Sequence, residues 1–141
     1  YEVTGDRAAL YGEFKKGGYV AWSNGDAPEV ILAGSGSEAG LAIDAAKKLA
    51  AAGKKVRAVS ISALELLEAN PDQKKKLLGD GKTPIVMVEA ASHRGVSSFY
   101  GTNVVLIDIR EFGLSAPAEK VADHFGFTVD KVVARVQAAL K

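Results

Sequence analysis

The chain has 141 residues, 48% of them hydrophobic and 25% charged, which is enough apolar side chain for one core and therefore one domain. With 18 Lys and Arg against 17 Asp and Glu the formal charge is +1, a balance that argues against nucleic acid or a membrane surface as partner. The absence of cysteine removes disulfides, thiolate zinc sites and thiol nucleophiles, and leaves His93 and His124 as the two imidazoles. No window approaches the roughly 18 apolar residues of a membrane span, and the first residues lack a signal layout, so a cytoplasmic protein is expected. The chain opens at Tyr1 instead of Met, as expected of a domain cut from a longer protein.

Residues 1–17 show no clean period and read as a connecting segment, with a turn of helix around 7–14; the domain proper is expected over 18–141. Residues 18–22 read as a strand, 23–28 as a turn and 29–33 as a fully apolar strand, an order that suggests a hairpin. After Gly34-Ser35-Gly36-Ser37-Glu38, the positions Ala39, Ala42, Ile43, Ala46, Leu49 and Ala50 repeat at helical spacing, with Gly53 as a left-handed stop. Residues 55–61 alternate like a strand and complete a βαβ unit. Helical pieces follow at 63–68 and 71–78, the second opened by Asn70 and Pro71. Strands are expected at 84–88 and 104–109, with a turn or short helix between them at 92–101. Ser115 and Thr128 read as N-caps of two last helices, separated by Gly126. These elements describe an α/β fold: a three-layer α/β/α mixed sheet of about five strands, mostly parallel, with one antiparallel edge strand.

The segment from Gly34 to Ala39 fits the G-x-G-x-x-G/A dinucleotide pattern after a strand and at a helix start, which makes Ser35, Gly36 and Ser37 a candidate anion site. The following strand ends at Ser60-Ile61-Ser62, without the acidic residue that grips a ribose. The competing reading is structural: the glycines let the helix approach the sheet, and Ser35 with Glu38 forms an S-x-x-E capping box. Gly79-Asp80-Gly81 invites a magnesium clamp, but it precedes a strand and only Asn103 follows it downstream, so a turn is expected. Glu89, His93 and Arg94 cluster past the tip of a parallel strand, where open α/β sheets place ligand contacts. No nucleophile stands beside them, and His93, Arg94, Phe99 and Tyr100 are read as an interface loop. His124 suits a helix C-terminus, and Lys74-Lys75-Lys76 a solvated helix face.

The end of the chain carries the most specific pattern. Glu111-Phe112-Gly113-Leu114-Ser115-Ala116-Pro117, followed by His124-Phe125-Gly126-Phe127-Thr128-Val129-Asp130-Lys131-Val132-Val133, resembles the end of the transketolase family. There a Phe-Gly-x-Ser-Ala-Pro turn precedes a helix, a Phe-Gly-Phe/Leu-Thr step and a final helix with Val-Val. Gly17-Gly18-Tyr19-Val20, Pro28 to Glu38, Lys54 to Ser60 and Val88-Glu89-Ala90 follow the same order, so the likeness covers residues 17–140. The family's aromatic and basic-Tyr positions fall where this chain reads Gly95-Val96-Ser97-Ser98-Phe99-Tyr100.

The resemblance implies the C-terminal domain of a thiamin-diphosphate enzyme of the pentose phosphate pathway, a transferase that moves a two-carbon ketol unit between sugar phosphates. It further implies that thiamin diphosphate and Mg2+ lie between the other two domains of a homodimer. This domain would then hold no catalytic, cofactor-binding or metal residue and would serve stability and dimer assembly, its partners being the other domains of the same enzyme. Two alternatives stand beside this: a free-standing small-molecule or nucleotide-binding module, or the matching domain of dihydroxyacetone synthase or another thiamin-diphosphate enzyme.

Overall fold

The structure, a computed structural model, describes residues 6–92, 101 and 103–140. Among these residues five strands, β1 Gly18–Ser23, β2 Val30–Ser35, β3 Val56–Ile61, β4 Ile85–Val88 and β5 Val104–Ile107, form one sheet in the order β1-β3-β2-β4-β5. The helices are α1 Arg7–Phe14, α2 Gly36–Ala51, α3 Leu64–Glu68, α4 Pro71–Leu78, α5 Ala118–Phe125 and α6 Val129–Ala139. All neighbouring strands are parallel except β1, which runs antiparallel to β3 along one edge. The mixed three-layer α/β/α class expected from the sequence is the one observed.

Strand β2 lies at the centre between two parallel neighbours, which is why its residues Val30-Ile31-Leu32-Ala33-Gly34 are buried without alternation. Its side chains divide between two cores. Val30 and Leu32 join Val56, Val86 and Val88 beneath Ala42, Ala46 and Leu49 of α2 and Val132 and Val136 of α6. Ile31 and Ala33 join Val59, Ile85 and Met87 against Leu67 of α3 and Leu77 of α4. Each fully buried Leu, Ile or Val in these layers contributes about 1.5–3 kcal/mol of transfer free energy. Helices therefore cover both faces because the strands leave no polar face for water.

Strands β1 and β2 do not form the expected hairpin, since β3 lies between them. The turn's polar groups account for this. Asn24 accepts the Val56 N–H at 2.7 Å and donates its amide to the Lys54 carbonyl at 2.8 Å, while the Glu29 N–H donates to the Lys55 carbonyl. The segment that looks like a hairpin turn is thus spent on the start of β3. Helix α2 buries Ala42, Ala46 and Leu49 of its expected face, with Gly40 and Ala45 besides, while Ala39 and Ile43 are half-buried. Its stop at Gly53, with φ +86°, is as expected.

Caps differ from expectation at two places and agree at a third. Asn70 precedes α4 with Pro71 in its first turn, but its side chain turns back to donate to the Leu66 carbonyl at 2.6 Å. Pro117, not Ser115, occupies the cap of α5, where its carbonyl accepts the N–H groups of Lys120 and Val121. Thr128 does cap α6, accepting the Lys131 N–H.

Candidate functional site

Open parallel sheets place ligands where adjacent strands send their following segments in opposite directions. Here the chain leaves β2 toward β3 on one side, while β4 continues to β5 on the other, so that point falls between the carboxyl ends of β2 and β4. Ser35 ends β2, and Glu89 directly follows β4. The parallel register pairs Gly34 with Val88, and the next step along both strands brings Ser35 and Glu89 together. The Ser35 hydroxyl donates to Glu89 Oε2 at 2.7 Å.

This contact corrects the capping-box reading. Ser35 is the N-cap residue of α2, yet its side chain makes no cap hydrogen bond; the hydroxyl is instead turned to Glu89 across the crevice. Glu38 does not reach back to the cap either; its Oε1 accepts the Ser37 hydroxyl at 2.8 Å. The glycines behave as the structural reading expects. Gly34 lies so close to α2 that an added Cβ would sit 2.8 Å from the Glu38 carbonyl, and Gly36 adopts φ +49° to turn the chain into the helix. The candidate anion residues Ser35, Gly36 and Ser37 therefore stand together at the start of α2, flanked by the carboxylates of Glu89 and Glu38.

A cavity of about 250 Å³ opens here, lined by Ser35, Ile61, Ser62, Leu64, Met87 and Glu89 among others. Its floor is apolar and its rim carries the Ser35–Glu89 pair. Ser62 is engaged elsewhere, donating to the Phe14 carbonyl at 2.7 Å and tying α1 to the end of β3. No basic side chain lines the cavity among the described residues. Among the described residues no imidazole lines the cavity, and the Ser35 hydroxyl proton goes to a carboxylate. The sequence singled out Glu89, but with His93 and Arg94 as its companions. Those two residues, with Phe99 and Tyr100, lie outside the described residues.

A larger cleft of about 720 Å³ lies between the end of β5 and α6. Its charges are largely matched internally: Arg110 with Asp108 at 2.9 Å, His124 with Glu111 at 2.8 Å, and Lys131 with Asp123 at 2.8 Å. Beside it runs an exposed stretch from Arg110 to Lys120 in which Phe112 is 96% exposed.

Thiamin diphosphate with magnesium does not fit the residues present. The carboxylate of Asp80 in Gly79-Asp80-Gly81 accepts the Lys82 N–H at 3.2 Å and faces the Lys82 ammonium at 3.5 Å, and the backbone N–H is the leading cause of its lowered pKa. The triplet is a closed turn. Among the described residues no group of three or more His, Asp and Glu is placed to hold a metal, and no helix is long and apolar enough to cross a membrane.

Comparison with known proteins agrees with this architecture. Residues 17–128 match the family described as the transketolase-like TK C-terminal domain. A transketolase from Nostoc is 40% identical over 126 residues, covering 89% of this chain and 19% of that protein. A chloroplastic transketolase from Solanum tuberosum is 43% identical over 122 residues, covering 84% and 16%. A transketolase from Pichia stipitis, solved in complex with sedoheptulose 7-phosphate, superposes with a TM-score of 0.82 at 28% identity, covering 99% of this chain and 20% of that one. The chain spans about one fifth of the length of these relatives. It belongs to the transketolase family, as a C-terminal domain.

Proposed function

We propose that this domain works inside a thiamin-diphosphate-dependent transketolase, supplying fold stability and subunit contacts while the ketol transfer takes place on other domains. The observation that carries the reading is the family match over residues 17–128. Thiamin diphosphate and Mg2+ belong, in this reading, to the remaining domains of a homodimer, and the isolated chain is inactive. Phe112 and the turn through Ser115 to Pro117 face those domains or the second subunit, together with the segment holding His93, Arg94, Phe99 and Tyr100. The compartment is the cytoplasm; the potato relative is chloroplastic, and a plastid would suit the same chemistry.

A chimera tests this. This chain replaces the C-terminal domain of the Nostoc transketolase, and the product is assayed with xylulose 5-phosphate, ribose 5-phosphate, thiamin diphosphate and magnesium. The expected result is an active dimer, with no turnover from the 141-residue chain alone. A chimera that folds but remains monomeric and inactive would overturn the reading, as would turnover by the isolated chain that survives repurification.

A further inference from the structure

We infer that the crevice at the carboxyl ends of β2, β3 and β4 is a binding site for a small organic cation, a primary ammonium on a short apolar body, with Glu89 as its acceptor. Glu89 is half-buried, and among the described residues its one side-chain partner is the Ser35 hydroxyl on Oε2. Among the described residues no group hydrogen-bonds to Oε1, and no Lys or Arg pairs with the carboxylate. A half-buried carboxylate with one oxygen open in this way accepts a positive partner or a charge-assisted donor.

The surroundings narrow the ligand. Ile61, Leu64 and Met87 form an apolar floor suited to an alkyl body. The volume of about 250 Å³ admits roughly eight water-sized groups at about 30 Å³ each, which limits the ligand to a small molecule. The two-pronged fork of a guanidinium would have to share Oε2 with the Ser35 hydroxyl, which already donates to it. A quaternary ammonium needs aromatic faces, and no aromatic residue lines the cavity among the described residues. A phosphate would meet Glu89 and Glu38 on either side of the turn, with no basic side chain among the described lining residues to offset them. A primary ammonium fits: it donates to Oε1 and to the lone pairs of the Ser35 oxygen while its chain covers the floor.

The test is a titration of the nitrogen-15-labelled 141-residue chain with n-butylammonium, n-butanol or inorganic phosphate, read by amide shifts. Butylammonium is expected to move the amides of Ser35, Ser62 and Glu89 saturably with a Kd in the millimolar range, about −4 kcal/mol at 1 mM. Butanol binds about tenfold more weakly, and Glu89→Gln reduces butylammonium affinity by about the same factor, the usual scale for a charge-assisted hydrogen bond. Glu38→Gln, which removes a nearby charge outside the cavity lining, leaves butylammonium affinity within about twofold. Four results would each overturn the inference: no saturable shift with butylammonium, equal affinity for butanol, undiminished binding by a folded Glu89→Gln, or saturable phosphate shifts at Ser35, Gly36 and Ser37.

Discussion

Gly34 shows how one hydrogen atom in place of a methyl group decides a layer spacing. A Cβ at this position would meet the Glu38 carbonyl carbon and oxygen at 2.8 Å and the Ala39 nitrogen at 2.9 Å, all of them backbone atoms of α2. The helix would have to lift from the sheet. Gly34→Ala is expected to lower the unfolding free energy by about 1–3 kcal/mol, the scale of overpacking, seen as a lower urea midpoint at unchanged m. Charge acts more gently at Glu29. The Lys55 N–H, 2.9 Å from Oε2, and then the Lys54 side chain hold its carboxyl below the ordinary value of 4.5. The folded chain binds that proton less tightly than the unfolded chain, so the stabilisation is complete above 4.5 and is lost as pH falls through the lowered value. Glu29→Gln should therefore flatten the acid limb of a stability-versus-pH curve and leave its shape above neutral pH unchanged. A carboxyl NMR titration of Glu29 that centres above 4.5 would contradict this.

Between elements, burial outweighs charge, and the contact of α2 with α6 allows the two to be compared directly. Leu49 is fully buried in the core shared with Val132 and Val136, whereas the Lys48–Asp130 ion pair on the rim of the same contact is exposed. Leu49→Ala is expected to cost about 2–5 kcal/mol. Asp130→Asn should cost less than about 1 kcal/mol and lose its effect in high salt. Chemical denaturation of both variants in low and high salt checks the ranking; an Asp130→Asn loss equal to that of Leu49→Ala would mean that the pair organises the helix contact. The other face has its own polar anchor. Gln73 is buried in α4 and donates to the Gly18 carbonyl at 2.8 Å, joining the helix layer to edge strand β1.

For the molecule as a whole, the exposed stretch beside β5 is the face through which we propose contact with other domains or a second subunit. Phe112 takes no part in either core. Phe112→Ser is accordingly expected to change the stability of the lone chain by no more than about 0.5 kcal/mol. In the Nostoc chimera the same substitution should weaken subunit association measurably by analytical ultracentrifugation. Amide exchange at residues 110–117 should also be slower in the chimera than in the lone chain; equal exchange in both would show that this face stays open to water.

Periodicity and local chemistry made much of this legible before any coordinates. Uninterrupted apolar runs can be satisfied only by burial on both faces, so Val30-Ile31-Leu32-Ala33 already read as a buried strand of a layered fold. Gly53, Pro71 and Thr128 marked helix ends because φ, a missing N–H and a hydroxyl are properties of single residues. The motif from Phe112 through Thr128 was specific enough to point to the family. Tertiary structure decided what depends on partners distant in sequence. Asn24 could be recognised as a turn former, but only the arrival of β3 at its side chain turned a hairpin into a crossover. Ser35 looked like a cap from its own neighbourhood, and Glu89 looked like part of a cluster with His93 and Arg94. Parallel pairing of β2 with β4 brings the Ser35 hydroxyl to the Glu89 carboxylate across 54 residues of chain, a distance over which local spacing carries no information.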